Sequence, residues 1–238
     1  MLIVVKGAGD LATGVACRLL RSGFQVILTE TPQPTTVRCT VAFSQAVYRG
    51  EAEVEGLRAV LAKGPEEALA LTREGFAAVL VDPEAACVPA LRPAGVVDAI
   101  LAKRNLGTAL TDAPAVVGVG PGFTPGVDCH AAVETQRGHD LGRVLWERPP
   151  APNSGVPGEI GGYTVERLLR APAAGLFQPA ASIGDTVSAG MKAGDVDPRC
   201  RREHCFSVSD KARAVGGGVL EALLCRLNAQ GMLPWPQV

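Results

Sequence analysis

The segment GVGPGFTPGVDCHAAVETQRGHDLG, residues 118–142, gathers side chains suited to acid–base or nucleophilic chemistry. It holds Asp128, Cys129 and His130 in a row and two of the three histidines of the chain. If this part of the segment is extended, its side chains alternate between two faces, so Asp128 and His130 share one face and Cys129 points to the other. The Asp128 carboxylate can then orient the His130 imidazole for acid–base catalysis. We therefore take Asp128, His130 and Cys129 as candidate catalytic residues, with the alternative that Cys129 is a small buried hydrophobic residue.

Glycine and proline stand at almost every other position at the start of the same segment. Such a run forms poor strand and poor helix, and it is usually kept where the backbone must approach a ligand or another chain segment closely. Its backbone N–H groups can also surround an anion. Because it follows the predicted strand APAVVGVG (113–120), we expect Gly120 and Gly122 to bind a cofactor and Asp128 and His130 to face the same pocket.

The stretch GAGDLA (7–12) lies between a predicted strand and a predicted helix and fits the dinucleotide pattern G-x-G-x-x-G/A. Its first glycine allows a tight turn, its second lets a phosphate approach the backbone, and the helix N-terminus favours negative charge. Glu30 ends the second predicted strand, where an acid can bind a ribose hydroxyl. Asp10 argues against this interpretation because its charge lies where a pyrophosphate would sit; the alternative is a tight turn with Asp10 as the helix N-cap. The candidate cofactor-binding residues here are Gly7, Ala8, Gly9, Asp10 and Glu30.

Adjacent cations follow another predicted strand, in LAKRNLGT (101–108). Ligands of open α/β sheets bind at the carboxyl ends of the strands, and a guanidinium there suits a phosphate or a carboxylate. We expect Lys103, Arg104 and Asn105 to line the same cleft as the glycine turn. The alternative is a solvated basic turn.

The composition excludes several classes of function. The 238 residues carry 23 basic and 24 acidic side chains, a net charge of −1, which gives no electrostatic reason to expect nucleic acid or an anionic membrane as a partner. No apolar run approaches the roughly 20 residues that a spanning helix needs. The seven cysteines include no CxxC pair, and no signal peptide is evident, which together predict a reducing cytoplasm.

Strand and helix patterns alternate over the first part of the chain and then give way to glycine, proline and short apolar runs. The alternation predicts a parallel sheet covered on both faces, so we expect an α/β fold with a Rossmann-like domain over residues 1–150. Residues 151–238 are predicted to form a second, smaller β-rich domain. In that part Cys200, His204 and Cys205 supply three zinc-ligand types, but no fourth lies at a usual spacing, and we predict no metal site.

The chain contains the stretches KGAGDLATGVACRLLRSGF, DAILAKRNLGT, GPGFTPGVDCHAAVETQRGHDLGRV, PGEIGGYTVERLLRAPA, MKAGDVDPR and SDKARAVGGGVLEALL. Together they resemble the YqeB-like selenium-dependent molybdenum hydroxylase system proteins over nearly the whole chain. The resemblance implies an accessory protein that helps to mature molybdenum hydroxylases requiring selenium at the metal. It supplies no catalytic residues, so the site residues rest on the chemistry above.

One stretch, APAAGLFQPAASIGDTVSAG (171–190), is similar to the first half of a biotinyl/lipoyl-type sandwich. The chain passes directly from it to MKAGDVDPR, whereas family members look longer, so we expect either a truncated domain or an internal segment that is missing near residue 190. Half a sandwich would leave strand edges unpaired. The alternative is that this stretch pairs with other strands of the second domain.

Three functions remain open. The first, favoured one is a maturation factor that binds molybdenum cofactor or delivers selenium or sulfur, with a molybdopterin phosphate on GAGDLA and Lys103/Arg104, and with Cys129 as a transient carrier. Its partners would be the hydroxylase apoprotein and selenium-pathway proteins. The second is an NAD(P)-dependent oxidoreductase that uses Glu30, and the third is a non-catalytic scaffold. The sequence leaves open whether the chain is an enzyme and whether it forms homo-oligomers.

Overall fold

The structure is a computed structural model that describes residues 1–153, 155–156, 162, 164, 168–170, 175–177, 185–187, 192–195 and 201–236. Its main strands are β1 Leu2–Lys6, β2 Gln25–Glu30, β3 Glu51–Val54, β4 Leu57–Ala62, β5 Ala77–Val81, β6 Gly95–Asp98, β7 Ala115–Val119, β8 Ala131–Val133 and β9 Val144–Leu145. The helices are α1 Asp10–Arg21, α2 Ala46–Arg49, α3 Pro65–Arg73, α4 Val88–Leu91 and α5 Asp210–Ala229.

These strands form one nine-stranded sheet in the order β3-β4-β5-β2-β1-β6-β7-β8-β9. The inner strands β4 to β8 pair in parallel, and only the edge strands β3 and β9 run antiparallel to their neighbours. The chain therefore has an α/β fold with a mostly parallel sheet, as the alternation of patterns predicts. The strand order reverses at β1, which has β2 on one side and β6 on the other.

The sheet is buried on both faces because its central strands are continuous apolar runs. Ile3 and Val5 of β1 pack on the face that α1 and α5 cover, whereas Val4 packs on the opposite face with residues of α3 and α4. This alternation follows the two-residue period of a strand. All three side chains have no exposure to solvent.

Helices α1 and α5 lie side by side and run in the same direction. A Cβ atom on Gly14 would lie 2.7 Å from the Cβ of Ala212, and one on Gly216, a turn further along, would lie 2.9 Å from the carbonyl oxygen of Gly14. Gly216 therefore permits the close contact between α1 and α5, whereas Gly218 makes room for the backbone of Gly142 and a Cβ atom on Gly217 would meet nothing within 4 Å.

Helix α5 packs against the sheet of the predicted first domain, although its residues lie in the predicted second domain, 151–238. Val215, Val219 and Leu223 of α5 are fully buried in the same cluster as Ile3. The boundary near residue 150 stays a prediction, but residues 210–229 share the core of the predicted first domain.

Among the residues described between β9 and α5, four short strands are present. β10 (Leu168–Arg170) pairs with β13 (Lys192–Asp195), and β11 (Gly175–Phe177) pairs with β12 (Asp185–Val187), both antiparallel. Residues 171–174, 178–184 and 188–190 of the stretch compared with a biotinyl/lipoyl sandwich lie outside the described residues. The sandwich and the missing segment stay predictions.

In the part of the chain that the structure describes, no helix combines the length and the apolar character that crossing a membrane requires.

Candidate functional site

A cleft of about 700 Å³ opens at the carboxyl edge of the sheet, where the strand order reverses. This is the position at which open α/β sheets bind ligands. Its walls come from the glycine turn and the first turn of α1, the end of β2, residues 35–38, Pro83 and Glu84, and the loop after β6.

The glycine turn presents the N-terminus of α1 to this cleft. Gly7 has a φ of 92°, and a Cβ atom there would lie 3.0 Å from the carbonyl oxygen of Ala99, so the turn requires glycine. Gly9 is the N-cap of α1 and provides no side-chain cap, and a Cβ atom on it would meet nothing closer than Thr36 Oγ1 at 3.5 Å. The first N–H groups of a helix have no intrahelical acceptor, so an anion can bind them here.

Asp10 is not the N-cap, because the helix begins at Asp10 and the cap position belongs to Gly9. Its carboxylate lies 3.5 Å from Nη1 of Arg38, which also lines the cleft. This ion pair offsets the negative charge that argues against a phosphate at the turn.

Glu30 lines the cleft and holds the glycine turn in place. Its Oε2 accepts a hydrogen bond from the N–H of Ala8 at 3.0 Å, and its Oε1 accepts one from the N–H of Thr31 at 2.8 Å. Ala8 itself is fully buried, so its contribution is this N–H group. A carboxylate oxygen can accept a second hydrogen bond, so Glu30 retains the capacity to bind a ribose hydroxyl.

Arg38 was not identified from the sequence. Its Nη2 donates to the carbonyl oxygens of His204 at 2.7 Å and Ser207 at 3.1 Å, which ties residues 204–207 to the wall of the cleft. Arg38 could have been predicted as a cleft residue because it lies in the connection that follows the carboxyl end of β2.

A buried polar network below the cleft was also missed. Lys6 Nζ donates to Thr108 Oγ1 at 2.7 Å and lies 3.6 Å from Asp98 Oδ2, and Thr108 Oγ1 donates to the same carboxylate oxygen at 2.6 Å. All three residues are nearly inaccessible to solvent. Lys6 and Asp98 end neighbouring strands in register, so the network fixes the start and the end of the loop between β6 and Thr108. The sequence signal for this network is that Lys6 and Asp98 are charged residues at the ends of two buried strands.

The predicted basic loop lies at the same edge as the glycine turn, as expected. The described walls of the cleft, however, include Leu101 and Leu106 of this loop and neither Lys103 nor Arg104. Asn105 exchanges two hydrogen bonds with Thr108 and so shapes the loop. Its role as a cofactor ligand stays a prediction.

Gly120 and Gly122 make room for neighbouring protein. A Cβ atom on Gly122, whose φ is 107°, would lie 2.6 Å from the backbone nitrogen of Arg104, and one on Gly120 would lie 2.8 Å from Thr135 Oγ1. The sequence offers two reasons for this glycine-rich run, the approach of a ligand or the approach of another chain segment. The structure supports the second.

The expected location of Asp128 and His130 is wrong. β7 and β8 are parallel neighbours, so the connection between them returns to the amino edge of the sheet, and His130 lies just before β8 at that edge. Its Nδ1 accepts the N–H of Val116 at 2.9 Å, while Asp128 Oδ1 accepts the N–H of Thr124 at 2.8 Å. The structure thus brings neither residue to the cleft, and both act as local backbone caps.

Cys129 is fully buried and packs with Val116 and Ala132. Cys129 and Ala131 pack on opposite faces of the sheet, although they would share a face in a continuous strand. Strand β8 begins only at Ala131, so residues 128–130 do not continue it as an extended run. Burial, and to a lesser degree the neighbouring Asp128, raise the pKa of the Cys129 thiol to about 12. A thiol in this environment is unsuited to carrying selenium or sulfur.

His204 and Cys205 belong to a short 3-10 helix, and Cys200, the other residue of the rejected zinc set, lies outside the described residues. Within the described parts of the chain, no three or more His, Cys, Asp or Glu side chains are grouped to hold a metal ion.

Comparison with known proteins finds a relative in Escherichia coli. The chain is 48% identical over 259 aligned residues to a protein of Escherichia coli (strain K12) described as "Uncharacterized protein YqeB", covering 95% of this chain and 48% of that protein. The chain thus spans about half the length of the relative. The 259 aligned positions exceed the chain's 238 residues, so the relative has residues inside the matched region without a counterpart here. No family model and no solved structure matches the chain.

Proposed function

Because the chain belongs to the YqeB-like family, we propose that it is an accessory factor of selenium-dependent molybdenum hydroxylases that binds the phosphate-bearing tail of a molybdenum cofactor species. The observation that carries the proposal is the cleft at the reversal of strand order, with the uncapped N-terminus of α1 in its wall. A nucleotide phosphate would bind the N–H groups after Gly9, and Arg38 would supply positive charge beside it.

The cleft supports binding and presentation of a cofactor better than covalent chemistry on the protein. Among the described residues that line it there is no cysteine and no histidine, and its polar side chains are threonines, carboxylates and Arg38. The bound molybdenum group would supply the redox and chalcogen chemistry, while the chain would hold its tail.

The finer architecture belongs to the same proposal. The sheet unit would be a Rossmann-like nucleotide-binding domain, and the predicted second domain (151–238), apart from helix α5, would be the smaller β-rich part that docks the hydroxylase apoprotein or a selenium-pathway protein. Its stretch 171–190 would be related to a biotinyl/lipoyl sandwich. The proposed place of action is the cytoplasm.

A second candidate, an NAD(P)-dependent oxidoreductase, is favoured by one observation. Glu30 ends β2 and lines the cleft, where an acid binds the ribose of a nicotinamide dinucleotide. Both of its oxygens already accept backbone N–H groups, which makes this use of Glu30 secondary in our account.

The two candidates are separated by ligand binding to the purified chain. We would titrate it with molybdopterin mononucleotide and dinucleotide forms and with NAD(H) and NADP(H), and follow thermal stability and heat of binding. Saturable binding of the molybdopterin forms alone supports the proposal. Binding of the nicotinamide dinucleotides alone would transfer the function to the oxidoreductase, and no binding by any of them would favour a scaffold.

A further inference from the structure

The loop that follows β6, residues 99–108, brings an apolar wall to the cleft. The wall consists of Ile100, Leu101 and Leu106, which all line the cleft, and Leu106 is 43% exposed. A single exposed leucine on a protein surface is common and has no meaning by itself. The conformation of the loop that carries these side chains shows that their position is closely determined.

Buried polar groups hold both ends of this loop. Lys6, Asp98 and Thr108 form the hydrogen-bonded network described above, and none of the three is more than 3% exposed. Asp98 Oδ1 also accepts the N–H of Ile100 at 3.2 Å, so the network reaches the first residue of the apolar wall. Burial of a charged pair carries a desolvation cost, which a loop that only connects two strands does not require.

Two residues of the loop have a strained backbone. Leu101 has a φ of 63° and Lys103 has a φ of 65°, in the left-handed region that residues with a Cβ atom disfavour. Such conformations persist only where the surrounding structure determines them, and they cluster at sites that bind ligands. The strain in Leu101 is therefore the observation that links the apolar wall to a function.

The rest of the loop is fixed by contacts on two sides. Asn105 exchanges two hydrogen bonds with Thr108, at 2.7 and 2.8 Å. On the other side, a Cβ atom on Gly122 would lie 2.6 Å from the backbone nitrogen of Arg104. A surface that is held in this way loses little conformational entropy when a ligand binds to it.

The other residues that line the cleft restrict the kind of ligand that can use the apolar wall. Thr31, Thr35 and Thr36 line the cleft as well. An aliphatic ligand would remove these polar residues from water without offering them hydrogen bonds, whereas a wholly polar ligand would gain nothing from the leucines. A planar heterocycle satisfies both, because its faces are apolar and its edge carries donors and acceptors.

We propose that the apolar wall of loop 99–108 binds the flat face of a planar heterocycle, with Leu101 and Leu106 in contact with the ring. The pterin and the nucleobase of a molybdopterin dinucleotide share this chemistry, and separate probes distinguish them. The identity of the ligand rests on the proposed function, whereas the position of the wall rests on the geometry of the loop.

The test divides the ligand into its parts. Neopterin and guanosine are ring probes without a phosphate, and ribose 5-phosphate is a phosphate probe without a heterocycle. Each probe is titrated into the whole chain and followed by ligand-observed NMR. The variants are Leu106→Ala, which removes the exposed contact, and Leu106→Met, which retains its volume. Val127→Ala is the matched control, because Val127 is 71% exposed and lies outside the described lining of the cleft.

Leu106→Ala should weaken the binding of at least one ring probe about fivefold, because part of the apolar contact area is lost. Leu106→Met and Val127→Ala should remain within about twofold of the wild type for the same probe. The affinity for ribose 5-phosphate should be the same in all four proteins. The ring probe that responds to Leu106 identifies the group that the wall binds.

Equal ring-probe affinities in Leu106→Ala and Val127→Ala, or no saturable binding of either ring probe, would overturn the inference. If ribose 5-phosphate still binds in that case, the phosphate site of the proposed function stands without the wall. If the ring probes respond to Leu106 while ribose 5-phosphate does not bind, the wall stands and the phosphate position at α1 falls. Leu106 is exposed, so its substitution leaves the core intact.

Discussion

Cys129 shows that the chemical type of a residue does not determine its reactivity. The thiol has no solvent exposure, and its pKa is raised to about 12, so the nucleophilic thiolate is rare near neutral pH. We expect an alkylating reagent to modify the exposed Cys205 and Cys225 in the native protein, while Cys129 is modified only after unfolding. Peptide mapping by mass spectrometry measures this directly. Rapid native labelling of Cys129 would restore it as a chalcogen carrier.

His130 predicts a pH dependence of stability. Burial, and then the charge of Arg226, lower the pKa of its imidazole below the ordinary 6.5. The unfolded chain therefore binds the proton more tightly than the folded one, so the contribution of His130 is complete above about pH 6.5 and is lost as the pH falls. The proton would also occupy Nδ1, which accepts the Val116 N–H.

We expect the melting temperature of the wild type to fall more steeply between about pH 7.5 and pH 5.5 than that of His130→Asn. Asparagine can accept the same N–H group but does not titrate. Thermal unfolding of both proteins across this range measures the difference, and parallel curves would show that His130 does not control it.

At the scale of elements, the contact between α1 and α5 depends on individual glycines of one helix. A Cβ atom on Gly216 would lie 2.9 Å from the backbone oxygen of Gly14, whereas one on the adjacent Gly217 would meet nothing within 4 Å. Gly216→Ala should therefore separate the helices and lower the free energy of unfolding by about 1–3 kcal/mol. Gly217→Ala should raise it by about 0.5–1 kcal/mol because alanine favours a helix interior. Urea unfolding of this pair tests the contact, and equal effects of the two substitutions would contradict it.

The same helix explains one limit of sequence analysis. The apolar pattern VLEALLCRL predicts its second half, but α5 begins at Asp210 and continues through three successive glycines. Glycine lowers intrinsic helix propensity, and tertiary packing overrides it here. Local sequence cannot show that packing outweighs the low helix propensity of these glycines, because the packing partner, Gly14, lies in a distant segment.

At the scale of the whole molecule, the strands and the glycine turn were predictable and the path between β7 and β8 was not. Continuous apolar runs such as LIVV and AAVLV specify buried strands. GAGDLA is recognisable because the turn and the helix are adjacent in sequence. The location of His130 instead depends on β8 pairing parallel to β7, a non-local choice that carries the connection back to the amino edge. Lys6 and Asp98 were missed for the same reason, since only the strand order makes them neighbours.

The central claim is that a nucleotide-type phosphate binds at the N-terminus of α1. Gly9→Ala tests it because the new methyl group meets no heavy atom closer than 3.5 Å, so the fold can accept it while a phosphate cannot approach as closely. Gly64→Ala is the matched control, since Gly64 is also a helix N-cap with extended backbone and nothing lies within 4 Å of its Cβ position.

The decisive measurement is the dissociation constant of the dinucleotide form of molybdopterin for the wild type and these two variants, by titration calorimetry. Loss of one or more hydrogen bonds to a charged phosphate predicts an affinity at least about tenfold weaker in Gly9→Ala, with an unchanged melting temperature, and wild-type affinity in Gly64→Ala. Equal dissociation constants for Gly9→Ala and Gly64→Ala would contradict the account, because the ligand would then bind somewhere other than the start of α1.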